Sequence, residues 1–226
     1  MQHDPLTMFT HMDLSGQVRG NGFPTSQLPE RLQNGIGWTP NNLMFTALGT
    51  IAAIAAAVAA LGSPDIVVNN AGIATVSLLE DMPTAMWDEM IRVNLSRVFF
   101  CTRAVLPHLR ARNYGRIINI SSQLAHKGGE GTAHYAAVKA GILGLTRSLA
   151  YEVTRDNIAV NAICPGPLLT DMRLPPEWAA KKQGELVIGR PGRVGEVAPT
   201  ALLLATEEAA FYVGATFNPN GGDIMV

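Results

Sequence analysis

The spacing of hydrophobic and polar positions changes along the chain, and each change marks an element. Residues 65–69 (Asp-Ile-Val-Val-Asn) form a short continuous apolar run, the pattern of a strand buried on both faces of a parallel sheet. From 84 to 112, Trp87, Ile91, Leu95, Val98, Val105 and Leu109 fall near helical spacing, which predicts one long helix with the polar Asn94 inside its apolar stretch. Residues 116–121 predict another strand, 133–154 an Ala-, Leu- and Ile-rich helix, and 158–163 a further buried strand that ends in the rigid turn Cys164-Pro165-Gly166-Pro167. After an irregular stretch over 168–186, the turn at Arg190-Pro191-Gly192-Arg193 leads to a helix near 197–206 and a last strand near 215–218. Strands that alternate with helices predict a parallel sheet covered on both faces, with right-handed crossovers.

The first part of the chain reads differently. Residues 13–18 look like the approach to a strand that does not follow, and 19–42 hold four Gly, three Pro and four Asn with little apolar periodicity. An irregular segment over 1–42 is therefore expected, followed by one domain over 43–226 with a short strand at 43–48 and an alanine-rich helix near 50–61. The run 43–63 carries no charge over a length that could cross a bilayer. It is dominated by alanine, is interrupted by Gly49 and lacks basic or aromatic anchors, so a buried strand and helix are expected in its place and no membrane span.

Composition narrows the function classes. With 226 residues, 47% of them hydrophobic, the chain can bury a substantial core as one domain. A net charge of -1 without blocks of like charge leaves no electrostatic footprint for nucleic acid. Cys101 and Cys164 sit far apart in apolar surroundings and read as buried thiols of a reducing cytoplasm. No secretory leader is expected at the start. The five histidines form no ligand cluster, so no metal is expected.

The candidate chemistry lies between Ser122 and Lys139. Tyr135 and Lys139 are four residues apart on a predicted helix, so both side chains leave one face, one turn apart. An ammonium beside a phenol favours the phenolate and draws its pKa down from about 10 toward the working range. Tyr135 thus reads as a general acid/base. At the end of the 65–69 strand, Asn70, Ala71 and Gly72 suit a place where a ligand approaches the backbone closely.

Taken together, Asn69-Asn70-Ala71-Gly72, Val93-Asn94-Leu95, Ser122 thirteen residues before Tyr135, Lys139, Pro165-Gly166 with Thr170-Asp171-Met172, and Asn220-Gly221-Gly222 resemble the classical short-chain dehydrogenases/reductases. The likeness is strongest to the 3-oxoacyl-(acyl-carrier-protein) reductase-like members and covers about 65–226. It implies a Rossmann-like, doubly wound α/β fold, here with its N-terminal strands incomplete. By the same resemblance Asn94, Ser122, Tyr135 and Lys139 would be the catalytic set. Asn70, Ala71, Gly72, Tyr135, Lys139, Pro165, Gly166 and Thr170 would hold NAD or NADP, and the substrate would be a small carbonyl or alcohol compound. Ser122 would bond the reacting oxygen, Tyr135 would protonate it, Lys139 would tune the phenol and bind the ribose, and Asn94 would hold a water. His126 and His134 are expected as exposed polar residues near the substrate mouth, with Gln123, Leu124, Pro167 and Leu168 lining the pocket and 173–186 as its lid.

The sequence departs from the family at its start. The glycine-rich fingerprint after a first strand is missing; Gly35-Ile36-Gly37 matches its end but has no strand before it, and Pro40 biases Thr39 away from helix. Two function classes follow: an oxidoreductase whose rebuilt N-terminus still admits the dinucleotide, and a dehydrogenase-like scaffold or partner subunit without turnover. A sheet lacking its first strands would expose an edge, which predicts a homo-oligomer, a dimer or tetramer built on the helices at 84–112 and 133–154.

Overall fold

The computed structural model describes residues 6–12, 18–24, 62–170 and 184–226. Its main sheet has six strands: β1 (Leu6–Met12), β2 (Val18–Pro24), β3 (Ile66–Asn69), β4 (Gly115–Ile120), β5 (Ile158–Ile163) and β8 (Thr216–Phe217), in the order β2-β1-β3-β4-β5-β8. Every neighbouring pair is parallel except the β1–β2 hairpin. A separate two-stranded sheet joins β6 (Leu168–Leu169) to β7 (Gly192–Arg193).

The strands of the centre follow from their composition. β3, β4 and β5 are runs of Ile and Val buried on both faces, and alternate residues feed two helical layers. Val67, Ile117 and Val160 pack against Val105 and Leu109 of α2 (Arg97–Arg112) and Leu149 and Val153 of α4 (Ala133–Val153). Ile66, Val68 and Ile118 face the other way, onto Ala201, Leu204 and Ala205 of α5 (Val194–Ala205). Each fully buried aliphatic side chain of this kind contributes about 1.5–3 kcal/mol relative to exposure. The expected α/β architecture is therefore present, and the strands predicted at 65–69, 116–121, 158–163 and 215–218 and the helices at 133–154 and 197–206 lie within a few residues of those observed.

Two expectations change. Strands β1 and β2 fall inside the 1–42 segment expected to be irregular, and β1 lies before residues 13–18 rather than after them. The pairing explains why the pattern was hidden: Met8 and Thr10 stand opposite Gly22 and Gly20, so half of the hairpin carries no apolar signal. The edge expected at β3 is also covered, since Thr7–Phe9 pair with Ile66–Val68, and the edge passes to β2 with its glycines and Pro24. The predicted elements at 43–48 and 50–61, Gly35 to Gly37, and the lid at 173–186 up to 183 lie outside the described residues. Among the described residues, no helix is long and apolar enough to cross a membrane.

The helix predicted over 84–112 is three pieces: α1 (Thr84–Met90), a π-helical turn (Ile91–Ser96) and α2. Asn94 lies within this π turn, and such turns recur at functional sites. Below it a polar network fixes the strand ends: Asn69 Nδ2 donates to Asn119 Oδ1 (2.8 Å) and to Thr102 Oγ1 (3.2 Å), and Asn119 Nδ2 donates to Thr146 Oγ1 (2.9 Å). All four residues are buried. Asn69 is thus occupied in joining β3, β4, α2 and α4.

Candidate active site

β2 lies on one side of β1 and β3 on the other, so the strand order reverses between β1 and β3. Crevices at such a reversal, outside the carboxyl ends of the strands, are where open α/β sheets bind ligands. Asn70 to Gly72 follow β3 there, Ser121 and Ser122 follow β4, and Cys164 to Gly166 follow β5.

Helix α4 brings the titratable groups to these strand ends. Lys139, 4% exposed, donates from Nζ to Ile120 O at 2.8 Å, and Ser121 Oγ donates to Lys139 O at 2.7 Å. This double tie locks α4 onto the end of β4. One turn earlier, the Tyr135 ring centroid is 5.6 Å from Lys139 Nζ, and Ser122 is among the groups that bear on the phenol's pKa. Ser122 Oγ also accepts from Leu124 N at 3.1 Å, the first amide of the four-residue helix α3 (Leu124–Lys127).

Asn94 sits opposite, 1% exposed. Its Oδ1 accepts from Ile73 N (3.1 Å), and its Nδ2 donates to Ile73 O (3.0 Å) and Met90 Sδ (2.7 Å). Both amide protons are spent on these bonds, and one acceptor lone pair is left. Its side chain therefore clamps the loop after β3. A Cβ on Gly72 would collide with Asn94 Oδ1 and stand 3.8 Å from Lys139 Nζ, so the missing side chain keeps a gap between the amide and the ammonium.

The electrostatics differ from the expected ones. Burial pushes the Tyr135 hydroxyl above its ordinary value, Ser122 opposes the rise, and the Cys164 thiol adds to it. Burial also draws the Lys139 ammonium down to about 8, and the cation of Arg97 pushes it the same way. The ammonium is tied to the Ile120 carbonyl, and the phenol keeps its proton at neutral pH.

Gly166 is held by close approach: a Cβ there would lie 2.5 Å from Asn220 O, while Gly166 N donates to Pro219 O at 3.1 Å. Pro165 O accepts from Gln123 N at 3.1 Å, so the turn after β5 is bonded to the turn after β4. Thr170 lies exposed just after β6. Asn70 to Gly72 and Pro165-Gly166 thus follow the carboxyl ends of β3 and β5, on either side of β4, to whose end the Lys139 ammonium is bonded. The residues present fit the nicotinamide and ribose half of a dinucleotide; the expected place of the adenosine half lies outside the described residues.

Several residues stand differently from the sequence reading. His134, expected exposed, is wholly buried, with Nε2 2.7 Å from Thr75 Oγ1, and burial lowers its pKa. The helix turns it toward the loop after β3 and away from solvent. His126 is half-buried. Arg97, 4% exposed and one turn past Asn94, is a cation near Lys139 that the apolar pattern did not signal.

A family profile described as Enoyl-(Acyl carrier protein) reductase matches residues 49–223. The chain belongs to the short-chain dehydrogenase/reductase family. Within it, an acetoacetyl-CoA reductase of Shinella zoogloeoides is 42% identical over 176 residues, 76% of this chain and 73% of that protein. A 3-oxoacyl-(acyl-carrier-protein) reductase FabG of Escherichia coli (strain K12) is 41% identical over 170 residues, 74% of this chain and 70% of its own. This short-chain dehydrogenase/reductase is accordingly an NAD(P)-dependent reductase of the 3-oxoacyl-(acyl-carrier-protein) reductase-like type.

Proposed function

We propose that the protein reduces the carbonyl of a small molecule to an alcohol with NADH or NADPH, with Tyr135 as general acid and Ser122, Lys139 and Asn94 completing the centre. The observation that carries this reading is the Lys139 ammonium tied to Ile120 O at the carboxyl end of β4, two residues before Ser122, with its Nζ 5.6 Å from the Tyr135 ring centroid. When bound, the dinucleotide supplies the hydride that the carbonyl carbon accepts. The carbonyl oxygen gains charge as that happens and needs donors already in place. The Ser122 hydroxyl donates to it, and Tyr135 transfers its proton to it. Burial favours the protonated phenol, the form a reduction starts from. The Lys139 ammonium stabilises the phenolate left behind.

Asn94, through Ile73, fixes the loop of Asn70, Ala71 and Gly72 against which the nicotinamide half would rest, with Pro165, Gly166 and Thr170 on the other side of the crevice. Because the named relatives are reductases of acetoacetyl-CoA and of 3-oxoacyl-(acyl-carrier-protein), a 3-oxoacyl thioester is the substrate class we assign. We place the protein in the cytoplasm as a homo-oligomer, a dimer or tetramer built on 84–112 and 133–154. Phe99 and Tyr151 on those helices are 42% and 92% exposed, which supports it. The rival reading, a scaffold or partner subunit that binds no dinucleotide, is separated by titrating NADH and NADPH against the purified protein through nicotinamide fluorescence. Saturable binding supports the reductase; none at millimolar cofactor would leave the scaffold.

A further inference from the structure

One charge pair beside the centre has no part in the chemistry above. Lys127 Nζ lies 2.7 Å from Asp223 Oδ1, with Lys127 31% and Asp223 only 3% exposed. An exposed pair of this kind contributes little; here one partner is buried, and each belongs to a turn with contacts at the site.

The turn that carries Asp223 begins at Asn220, whose backbone is packed against Gly166, and Asn220 Oδ1 accepts from Gly222 N at 2.9 Å. Gly221 and Gly222 adopt φ of +67° and +82°, where other residues are strained. On its far side the turn holds Val187 and Ile188: Ile188 N donates to Gly221 O at 3.1 Å, and a Cβ on Gly222 would lie 2.6 Å from Val187 Cβ.

Lys127 closes the other turn. It is the last residue of α3, whose first amide, Leu124 N, orients Ser122 Oγ. A single helical turn does not hold its own shape in water. What its far end is fastened to therefore decides how firmly Leu124 N, and through it the Ser122 hydroxyl, is aimed.

We propose that Lys127 and Asp223 are a positioning pair for carbonyl reduction: the ion pair fastens the turn after Ser122 to the C-terminal turn and keeps the serine hydroxyl aimed at the substrate oxygen. This rests on reading Ser122 as the donor to that oxygen. Both residues act through Ser122 and touch no reacting atom.

The test compares wild type with Asp223→Asn, Lys127→Met and the charge-keeping Lys127→Arg. Hydrogen–deuterium exchange is followed over 121–128, and kinetics are measured with NADPH and acetoacetyl-CoA. The expected result is faster exchange in 124–128 for Asp223→Asn and Lys127→Met, with kcat lowered about tenfold, the scale of one misaligned hydrogen bond, and KM moved less. Lys127→Arg should stay near wild type in both. Unchanged exchange in the neutralised variants, or equal losses in Lys127→Arg and Lys127→Met, would overturn the proposal. A wild type that binds NADPH and reduces nothing overturns the reading of Ser122, and the exchange comparison then decides the clamp by itself.

Discussion

Lys139 reaches past Tyr135 to the end of the neighbouring strand: its Nζ is 5.6 Å from the phenol ring centroid and donates to Ile120 O at 2.8 Å. An ammonium held this way is nearly out of water, and burial brings its pKa down to about 8. The unfolded value is 10.5, so below pH 8 the folded protein bears a full cost for the buried charge. Between 8 and 10.5 the unfolded chain binds the extra proton, and that cost fades as pH rises. Relative to Lys139→Met, wild type should therefore gain stability from pH 8 to 10.5. Urea denaturation of both proteins across that range checks the sign, and a gap that stays constant contradicts it.

The protonation of Tyr135 sets the direction of catalysis. Reduction needs the phenol and alcohol oxidation needs the phenolate, and burial raises this pKa. At neutral pH, reduction should run well ahead of oxidation, and the oxidation rate should climb as pH rises above neutrality. Initial rates in both directions over pH 6–10 measure this; an oxidation rate flat across that range contradicts it.

Three glycines should respond differently to alanine. Gly166→Ala places a Cβ 2.5–2.8 Å from the backbone of Asn220, which cannot yield as a side-chain tip can, and the variant should lose stability. Gly72→Ala should cost stability as well as weaken cofactor binding, since its Cβ displaces the buried Asn94 amide from its bonds to Ile73. Gly144, within α4, has nothing within 4 Å of a built Cβ. Gly144→Ala should stabilise by about 0.5–1 kcal/mol through helix propensity. Thermal melts and nicotinamide fluorescence sort the three, and a stabilised Gly166→Ala would be inconsistent with the packing described.

In the core, Ile117 is fully buried between α2 and α4. Ile117→Ala should cost about 2–5 kcal/mol, from lost burial and an incompletely closed cavity. Urea titration reads it directly, and a cost below about 1 kcal/mol would mean that the layer repacks.

Much of this architecture was legible because β3, β4 and β5 are rich in Ile, Val and Ala and the helices at 133–153 and 194–205 are continuous. The β1–β2 hairpin was hidden by Gly20 and Gly22, which pack no side chain and leave no alternation to read. Of the site, helical spacing marked out Tyr135 and Lys139, and the family resemblance added Ser122; the structure places the first two one turn apart, with Lys139 Nζ bonded to the strand end two residues before Ser122. Spacing could not tell which way His134 turns, because a residue at the first turn of a helix can face solvent or the neighbouring loop. Arg97 runs against the rule that cations stay exposed. Lys127 and Asp223 are too far apart in the chain for any local pattern to pair them. The lowered Lys139 pKa was missed because spacing reports proximity and carries no information on burial.

The most direct measurement is pre-steady-state reduction of acetoacetyl-CoA by wild type and Tyr135→Phe, with NADPH affinity determined on the same samples. Loss of the phenol hydroxyl removes the proton donor and leaves the crevice wall in place. The expected result is turnover in wild type, none measurable in Tyr135→Phe, and similar NADPH affinity in both. A Tyr135→Phe protein that still reduces the substrate at near the wild-type rate would show that the proton comes from another group.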